Sequence, residues 1–367
     1  MNNKKKTIWL AGGGTGGHIS PAISIFEILE SGGYLPVLIT LEKNRDYPSL
    51  KKMNSKKQSI IFYRASPIPK SWKTLVSFFR DIQYSFQLLN MESRIHLPDA
   101  VIAFGGYPVF PVLIWALYRR IPYYLHEQNV RHGVITRLFK WKARKIFLSF
   151  PKHKYMSREC LVGNPLRQIF LKAERSMKKS VATKKKLSFD RILLLGGSQG
   201  ARDINNLYLE MCQSVDFKKK SITISTGKQE FEEIKKQSKK LKRKKDQIFP
   251  FIEDVPRAML NSDLVISRSG SGLIFEILWS KKPACFIPFP HAASDHQKYN
   301  SLFLNDVGHY ATIDIRPFDP AAAIRQIQLF LTDLENRPHQ AGDISEKIPL
   351  NAHERIRDIL LNDLASG

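Results

Sequence analysis

The chain of 367 residues is short of cysteine. Its three, Cys160, Cys212 and Cys285, are odd in number and far apart, with neither a disulfide framework nor the paired spacing of a metal site. That usage fits a reducing cytoplasm. Long apolar runs are also missing. The longest, residues 107–125, is broken by Arg119 and Arg120, and nothing reaches the roughly 20 uninterrupted residues of a spanning helix. Behind Lys4, Lys5 and Lys6 the apolar run is only Ile8 to Ala11, too short for the core of a secretion signal. A soluble or peripheral protein is expected. There is no Asp-x-Asp, no His/Cys cluster and no G-x-S-x-G elbow, so metal-bridged diphosphate binding and serine-hydrolase chemistry lose support. Acidic residues are scarce, 33 against 58 Lys and Arg, for a net charge of +25. Such an excess calls for an anionic partner: nucleic acid, anionic lipid or a phosphorylated substrate. No helix-turn-helix, RNP or finger motif supports nucleic acid.

The length suits two domains of about 150 residues, and at 43% apolar residues each half can bury a core. Short apolar runs alternate with helical patterns. Residues 7–11, 36–41, 100–104 and 123–125 read as buried strands, and residues 21–30 as a helix. The pattern restarts with strands at 191–195, 221–225, 264–267 and 284–287 and a helix at 201–212. This βαβ alternation implies α/β architecture with parallel sheets covered on both faces. The turn Val162-Gly163-Asn164-Pro165 precedes a lysine-rich, exposed stretch at 172–186. The boundary is therefore placed near Pro165, giving domains 1–165 and 166–349, with a final helix (352–364, within about 350–367) expected to pack back on the first. Each half opens with strand, glycine loop and helix. Two such sheets facing across a cleft would bring both loops to strand C-termini, where α/β folds bind ligands.

The first loop is Gly12-Gly13-Gly14-Thr15-Gly16-Gly17-His18. Its glycines let the backbone turn sharply and approach an anion at the helix start. Gly12, Gly14 and Gly17 also satisfy G-x-G-x-x-G, with Glu42 placed like a ribose-binding acid, so a dinucleotide enzyme competes at this point, as does a plain turn without ligand. His18 begins the helix, where the dipole favours a neutral imidazole able to accept a proton; the plainer reading is a partner for a nearby carbonyl. The second loop, Gly196-Gly197-Ser198-Gln199-Gly200-Ala201, repeats the phosphate cradle with Ser198 as an added hydroxyl. A third stretch, Ser267-Arg268-Ser269-Gly270-Ser271-Gly272-Leu273-Ile274-Phe275-Glu276, runs from strand into helix. The helix start suits phosphates, and Glu276, one to two turns in, suits a ribose diol; alone, the stretch would read as a loop with a solvated glutamate. The fourth is Pro288-Phe289-Pro290, then His291, Ser294-Asp295-His296-Gln297 and Asn300, where amides that donate and accept match sugar hydroxyls. Gly105-Gly106-Tyr107-Pro108 and His126-Glu127-Gln128-Asn129 follow strands of the first half; Gly105, Gly106, Tyr107, His126 and Glu127 are assigned to the acceptor side.

Residues 13–21 (GGTGGHISP), 126–129 (HEQN), 162–167 (VGNPLR), 196–201 (GGSQGA) and 295–300 (DHQKYN) resemble, in order and spacing, the MurG family of peptidoglycan glycosyltransferases. The resemblance runs from about residue 7 to about residue 359. It implies a GT-B fold of two Rossmann-like, doubly wound domains facing across a cleft, with no cofactor or metal required. The implied reaction moves N-acetylglucosamine from UDP-GlcNAc, with inversion and a β-1,4 linkage, to undecaprenyl-pyrophosphoryl-MurNAc-pentapeptide (lipid I), giving lipid II at the cytoplasmic face of the membrane. By motif match it places Thr15, Gly16 and Gly17 beside the substrates, His18 as the base for the acceptor hydroxyl and Asn129 on substrate. Arg167 and Ser198 fall near the diphosphate, and the backbone of Ile252 at the uracil. Ser271, Gly272, Leu273, Ile274 and Phe275 fall along the donor, Glu276 on its ribose and Gln297 on its sugar. One departure stands out: the family commonly has Thr where this chain has Leu273, so a phosphate-facing hydroxyl is lost unless Ser271 or backbone N–H groups replace it.

A lipid-linked acceptor requires contact with a bilayer. Trp72, Leu75, Val76, Phe79, Ile82, Phe86 and Leu89 recur at helical spacing. Trp115, Arg119, Arg120, Arg137, Lys140, Trp141, Lys142, Arg144 and Lys145 add aromatic and basic groups in the same half, a mixture suited to an anionic leaflet. The alternative is a stripe that faces the core. Two other functions compete: another GT-B UDP-sugar transferase or a UDP-sugar epimerase, and a non-catalytic basic binding module.

Overall fold

A computed structural model describes residues 5–14, 16–56, 58–67, 69, 71–177, 189–196, 201–305, 309–336, 344 and 347–365. The chain divides into two compact units, residues 1–167 with 348–367, and residues 168–347.

The first unit is a parallel sheet flanked by helices. In chain order it contains β1 (Thr7–Ala11), α1 (Gly16–Ser31), β2 (Leu35–Leu41), α2 (Pro48–Ser55), β3 (Ile60–Tyr63), α3 (Trp72–Ile95), β4 (Ala100–Ala103), α4 (Val109–Tyr118), β5 (Tyr123–Glu127), α5 (Val134–Phe139), β6 (Ile146–Leu148) and β7 (Glu159–Leu161). The strands order as β3-β2-β1-β4-β5-β6-β7, reversing direction of travel at β1/β4, where Trp9 pairs with Val101 and Ala11 with Ala103. Every residue of β1 is buried because the pleat sends alternate side chains into two cores. Ile8 and Leu10 meet Ile25, Phe26 and Leu29 of α1, while Trp9 and Ala11 meet Val112, Leu113 and Ala116 of α4. The helix read from residue 21 begins at Gly16 and carries Pro21 inside it.

Two expectations for the surface change here. Trp115, counted above among the surface groups, is fully buried; it stacks on Trp9 with centroids 4.8 Å apart, and its indole N–H donates to Asn90 Oδ1 at 2.9 Å. Truncating such a side chain costs about 3–5 kcal/mol, which makes it core. The stripe on α3 is divided: Leu89 is buried and Ile82 and Phe86 are half-buried, whereas Trp72, Val76 and Phe79 are 86, 75 and 59% exposed. Phe78 of α3, Phe110 of α4 and Phe139 of α5 touch in series at 5.8 and 5.7 Å, so these three helices pack side by side. Val134, Leu138 and Trp141 are exposed on or just past α5.

The second unit contains α6 (Gln168–Met177), β8 (Arg191–Leu195), α7 (Arg202–Gln213), β9 (Ser221–Ser225), α8 (Phe231–Lys240), β10 (Gln247–Phe249), α9 (Val255–Leu260), β11 (Leu264–Ser267), α10 (Ser271–Ser280), β12 (Ala284–Phe286), α11 (His296–Leu302), β13 (Tyr310–Thr312) and α12 (Pro320–Asn336). Its parallel sheet has the order β10-β9-β8-β11-β12-β13. Ile192, Leu194, Ile222, Ile224 and Ile266 meet α7 and α12 in its main core, and Phe170 packs edge-on against Trp279 at 5.0 Å. The final helix, α13 (Ala352–Ala365), belongs to the first unit, where Ile356 and Leu360 join the core around α1. Among the described residues, no helix is long and apolar enough to cross a membrane.

Candidate active site

In the first unit the strand ends converge on His18. The turn out of β1 starts α1 at Gly16, which puts His18 in the first helical turn; Thr15 lies outside the described residues. His18 Nδ1 stands 2.8 Å from the carbonyl oxygen of Phe104, the residue after β4. A carbonyl only accepts, so Nδ1 carries the proton, and in the neutral ring Nε2 is the nitrogen with the lone pair. The plain reading, a histidine partnered by a carbonyl, and the chemical one, a base, thus describe the same ring. The Phe104 oxygen also accepts from Gln128 Nε2 at 3.0 Å. Gly105 and Gly106 follow with φ of 80° and 75°, a region that side chains avoid. A Cβ on Gly105 would stand 3.4 Å from His18 Cε1, and one on Gly106 would stand 3.1 Å from His18 Cδ2. The ring is thus seated on bare backbone. Tyr107 is half-buried, and its hydroxyl accepts from Lys43 Nζ at 3.2 Å.

The segment after β5 is organised from within. His126 is 1% exposed, and its Nε2 lies 3.3 Å from the Gly163 carbonyl. Burial pulls its pKa down to about 4, with the bond to Gly163 opposing and the nearby His18 adding to the fall. Glu127 is buried as well. Its Oε1 accepts from Asn129 N at 3.1 Å and Asn129 Nδ2 at 3.4 Å; its Oε2 accepts from Gly133 N at 2.8 Å and Thr136 Oγ1 at 2.6 Å. Burial pushes this carboxyl up, and the four donors oppose it. The carboxylate is the hub of the loop from Gln128 to Gly133, and that loop presents the half-buried Asn129. Arg167, also half-buried, ends this part of the unit.

In the second unit Gly197, Ser198, Gln199 and Gly200 lie outside the described residues; α7 begins directly after them, with Ala201 at its N-cap. The Gly270 carbonyl accepts from Ile274 N at 3.0 Å to open α10. No side chain caps that end, so the N–H groups of Ser271, Gly272 and Leu273 have no partner within the helix, the ordinary condition of a first turn. Ser271 and Glu276 are buried, and Gly272 and Leu273 half-buried. Ile274 and Phe275 are fully buried, so their side chains belong to the core and could meet a ligand only through backbone. Ile252 is buried, just before the Asp254 cap of α9, which accepts from Arg257 N at 3.1 Å. Gln297, in the first turn of α11, accepts on Oε1 from Phe289 N at 3.0 Å. That bond ties it to the Pro288-Phe289-Pro290 turn, ahead of Ser294 and Asp295, whose φ values are 53° and 52°. Sequence reasoning passed over Gln128 and gave Arg268 no role, though each occupies a central place among the strand ends. A buried polar residue flanked by glycines or by site candidates was the available signal.

Residues 8–148 match the glycosyltransferase family 28 N-terminal domain, and residues 191–354 match the family 28 C-terminal domain. With the two parallel sheets and their glycine-rich strand ends, this defines the chain as a glycosyltransferase of GT-B architecture. A curated relative from Sulfurihydrogenibium sp. is 30% identical across 98% of this chain and 99% of its own. A second, from Lawsonia intracellularis, is 32% identical across 83% of each. Both carry the name UDP-N-acetylglucosamine–N-acetylmuramyl-(pentapeptide) pyrophosphoryl-undecaprenol N-acetylglucosamine transferase. The chain belongs to that family, the MurG transferases of peptidoglycan synthesis. The crystal structure of Acinetobacter baumannii MurG shares the fold, with a TM-score of 0.73 at 21% identity over 98% of this chain and 100% of the other.

Proposed function

We propose that this chain transfers N-acetylglucosamine from UDP-GlcNAc to the MurNAc sugar of undecaprenyl-pyrophosphoryl-MurNAc-pentapeptide, forming lipid II with inversion at the anomeric carbon. The observation that carries the chemistry is the Nδ1–H of His18 committed to the Phe104 carbonyl at 2.8 Å. That bond leaves Nε2 as the atom to take the proton from the attacking C4 hydroxyl of MurNAc. The hydroxyl oxygen bonds to C1 of the donor sugar, the C1–O bond to the diphosphate breaks, and UDP leaves with the electron pair. In this reading the N–H groups opening α10 face the growing negative charge, Glu276 holds the ribose, Ile252 offers its backbone to uracil and Gln297 meets the sugar hydroxyls. Arg167, Ser198, Thr15, Gly16, Gly17 and Asn129 complete the substrate contacts. Gly105, Gly106, Tyr107, His126 and Glu127 shape the acceptor side, with His126 and Glu127 acting through the backbone they hold. No metal takes part. The test is purified protein with UDP-GlcNAc and a lipid I analogue. A product heavier by one N-acetylhexosamine, with UDP released only when acceptor is added, is expected. UDP release without acceptor, or epimerised donor, would point to an epimerase.

The same reading places the protein at the cytoplasmic membrane surface as a peripheral enzyme. Trp72, Val76 and Phe79 are largely exposed, and Arg119, Arg120, Arg137 and Lys142 are exposed in the same unit. A basic side chain near an anionic leaflet is worth about 1 kcal/mol. Vesicles with anionic lipid should bind the protein and neutral ones bind it weakly, and salt should release only part of it. Replacing Trp72 and Phe79 by Ser should remove the salt-resistant fraction without unfolding the protein; equal binding to both vesicle types at low salt would refute the electrostatic part.

A further inference from the structure

The donor loops of the second unit share one buried cation. Arg268 directly follows β11 and is 7% exposed. Its backbone N–H donates to the carbonyl of Leu195 at the end of β8, at 3.3 Å. Its guanidinium reaches three ways. Nη2 donates to Asp203 Oδ2 at 2.5 Å, in the first turn of α7, just beyond the second glycine loop. Nη1 donates to the carbonyls of Ile287 and Pro288 at 3.3 and 3.1 Å, where the chain leaves β12. Its carbon lies 5.5 Å from the centroid of the Phe289 ring, and Phe289 N is the group that donates to Gln297 Oε1. β8, β11 and β12 are neighbours at the centre of the sheet. The start of α7, the strand end that leads into α10 and Glu276, and the turn that holds Gln297 are therefore joined through one side chain.

We propose that Arg268 is a positioning residue for the nucleotide-sugar donor, holding these three loops in register while leaving the anion to the backbone. The proposal rests on the donor reading given above. The charge of Arg268 is engaged by Asp203, so the guanidinium is no ready counter-charge for a diphosphate. Its value lies in its shape: a planar fork can serve acceptors from different strands at once, which a lysine ammonium on a flexible stem does not reproduce. Without it, two buried carbonyls lose a donor and Asp203 loses its partner, so the loops are free to drift apart. Misplacement of binding groups by an ångström is enough to cost large factors in turnover.

The experiment uses the whole chain in five forms: wild type, Arg268→Met, Asp203→Asn, the double variant of these two, and Glu276→Ala. Donor and acceptor KM are measured together with UDP affinity by calorimetry. Arg268→Met should raise the donor KM and the UDP Kd about tenfold or more and leave the acceptor KM within about twofold. Asp203→Asn keeps the shape and removes one charge; it should act in the same sense by about threefold. The double variant should fall short of the product of the two, because both act through one contact. If Arg268→Met fails to fold, Asp203→Asn decides alone. A lower melting temperature with unchanged UDP affinity and an unchanged ratio of donor to acceptor KM would overturn the proposal while Glu276→Ala still weakens UDP. If Glu276→Ala also leaves UDP affinity unchanged, the donor reading itself falls, and the role of Arg268 with it.

Discussion

The two units share a plan and spend their buried polar groups differently. Around His18 the strand ends of the first unit are mostly neutral: the Phe104 carbonyl, the amide of Gln128 and the imidazole of His126, which burial holds near a pKa of 4. The carboxylate of Glu127 is closed on its own loop by four donors. The strand ends of the second unit are held by the ion pair of Arg268 and Asp203, beside a helix start that no side chain caps. On the function proposed above, the contrast amounts to a division of labour. A group that must take up and release a proton works best with its tautomer fixed by neutral partners, whereas a leaving diphosphate is better met by fixed dipoles whose neighbouring charges are already satisfied.

The largest effect expected from breaking this contrast lies at the base. General-base catalysis contributes about 10²–10⁴-fold, so His18→Ala should lower kcat by a factor in that range at saturating donor and acceptor. Turnover near wild type, followed by product mass, would take His18 out of the mechanism.

The next effect concerns the neutrality of the first unit. Burial holds His126 at a folded pKa of about 4, below the 6.5 of an ordinary histidine, so the unfolded chain binds the proton more readily. Stability is therefore complete above pH 6.5 and is lost as pH falls toward 4. The shift corresponds to about 3 kcal/mol at most. His126→Gln cannot charge and should lose this part of the pH dependence, read as the difference between the two proteins in denaturant unfolding at pH 7.5 and pH 5. Glu127 works in the opposite sense, because its carboxyl is pushed up, and it is common to both proteins, so the difference isolates the histidine. Parallel pH profiles would show that His126 already titrates freely in the fold.

The smallest effect belongs to the helix start in the second unit. Leu273 stands where the resemblance expects a hydroxyl, yet the N–H groups of the first turn of α10 remain outside the helix's own bonding, and Ser271 sits two residues earlier in the same turn. If backbone carries the anion, Leu273→Thr should change UDP affinity by no more than about 0.5 kcal/mol. A tightening by a whole neutral hydrogen bond, about 0.5–1.5 kcal/mol, would mean that the diphosphate does rely on a side-chain hydroxyl there.

Much of this architecture can be read from residue patterns because buried parallel strands announce themselves. The run Ile8-Trp9-Leu10-Ala11 and the run Ile192-Leu193-Leu194-Leu195 are apolar on both faces, and each ends in glycine. Three-residue strands such as β6, β7, β10 and β13 carry too little pattern to be distinguished from loops, and their pairing comes from neighbours distant in sequence. The helix entered at residue 21 starts at Gly16, since glycines that look like a loop also complete its first turn. On α3 the periodicity was visible, but periodicity does not say which residues of a long helix are covered; packing against α4, where Phe78 meets Phe110, bears on that. Trp115 shows the same limit, being read as a surface aromatic until Trp9 is seen beneath it. In the site, residue types were legible and partners were not. Nothing in HEQN says that the glutamate serves its own loop, or that the next residue shares a carbonyl with His18.

The central claim, that proton chemistry belongs to the first unit and the donor to the second, is tested most directly by titrating UDP into His18→Ala and Glu276→Ala side by side in a calorimeter. The account predicts wild-type affinity in His18→Ala. In Glu276→Ala it predicts a loss of about 1.5–3 kcal/mol, the worth of a hydrogen bond to a charged group. Weakened binding in His18→Ala, or unchanged binding in Glu276→Ala, would contradict it.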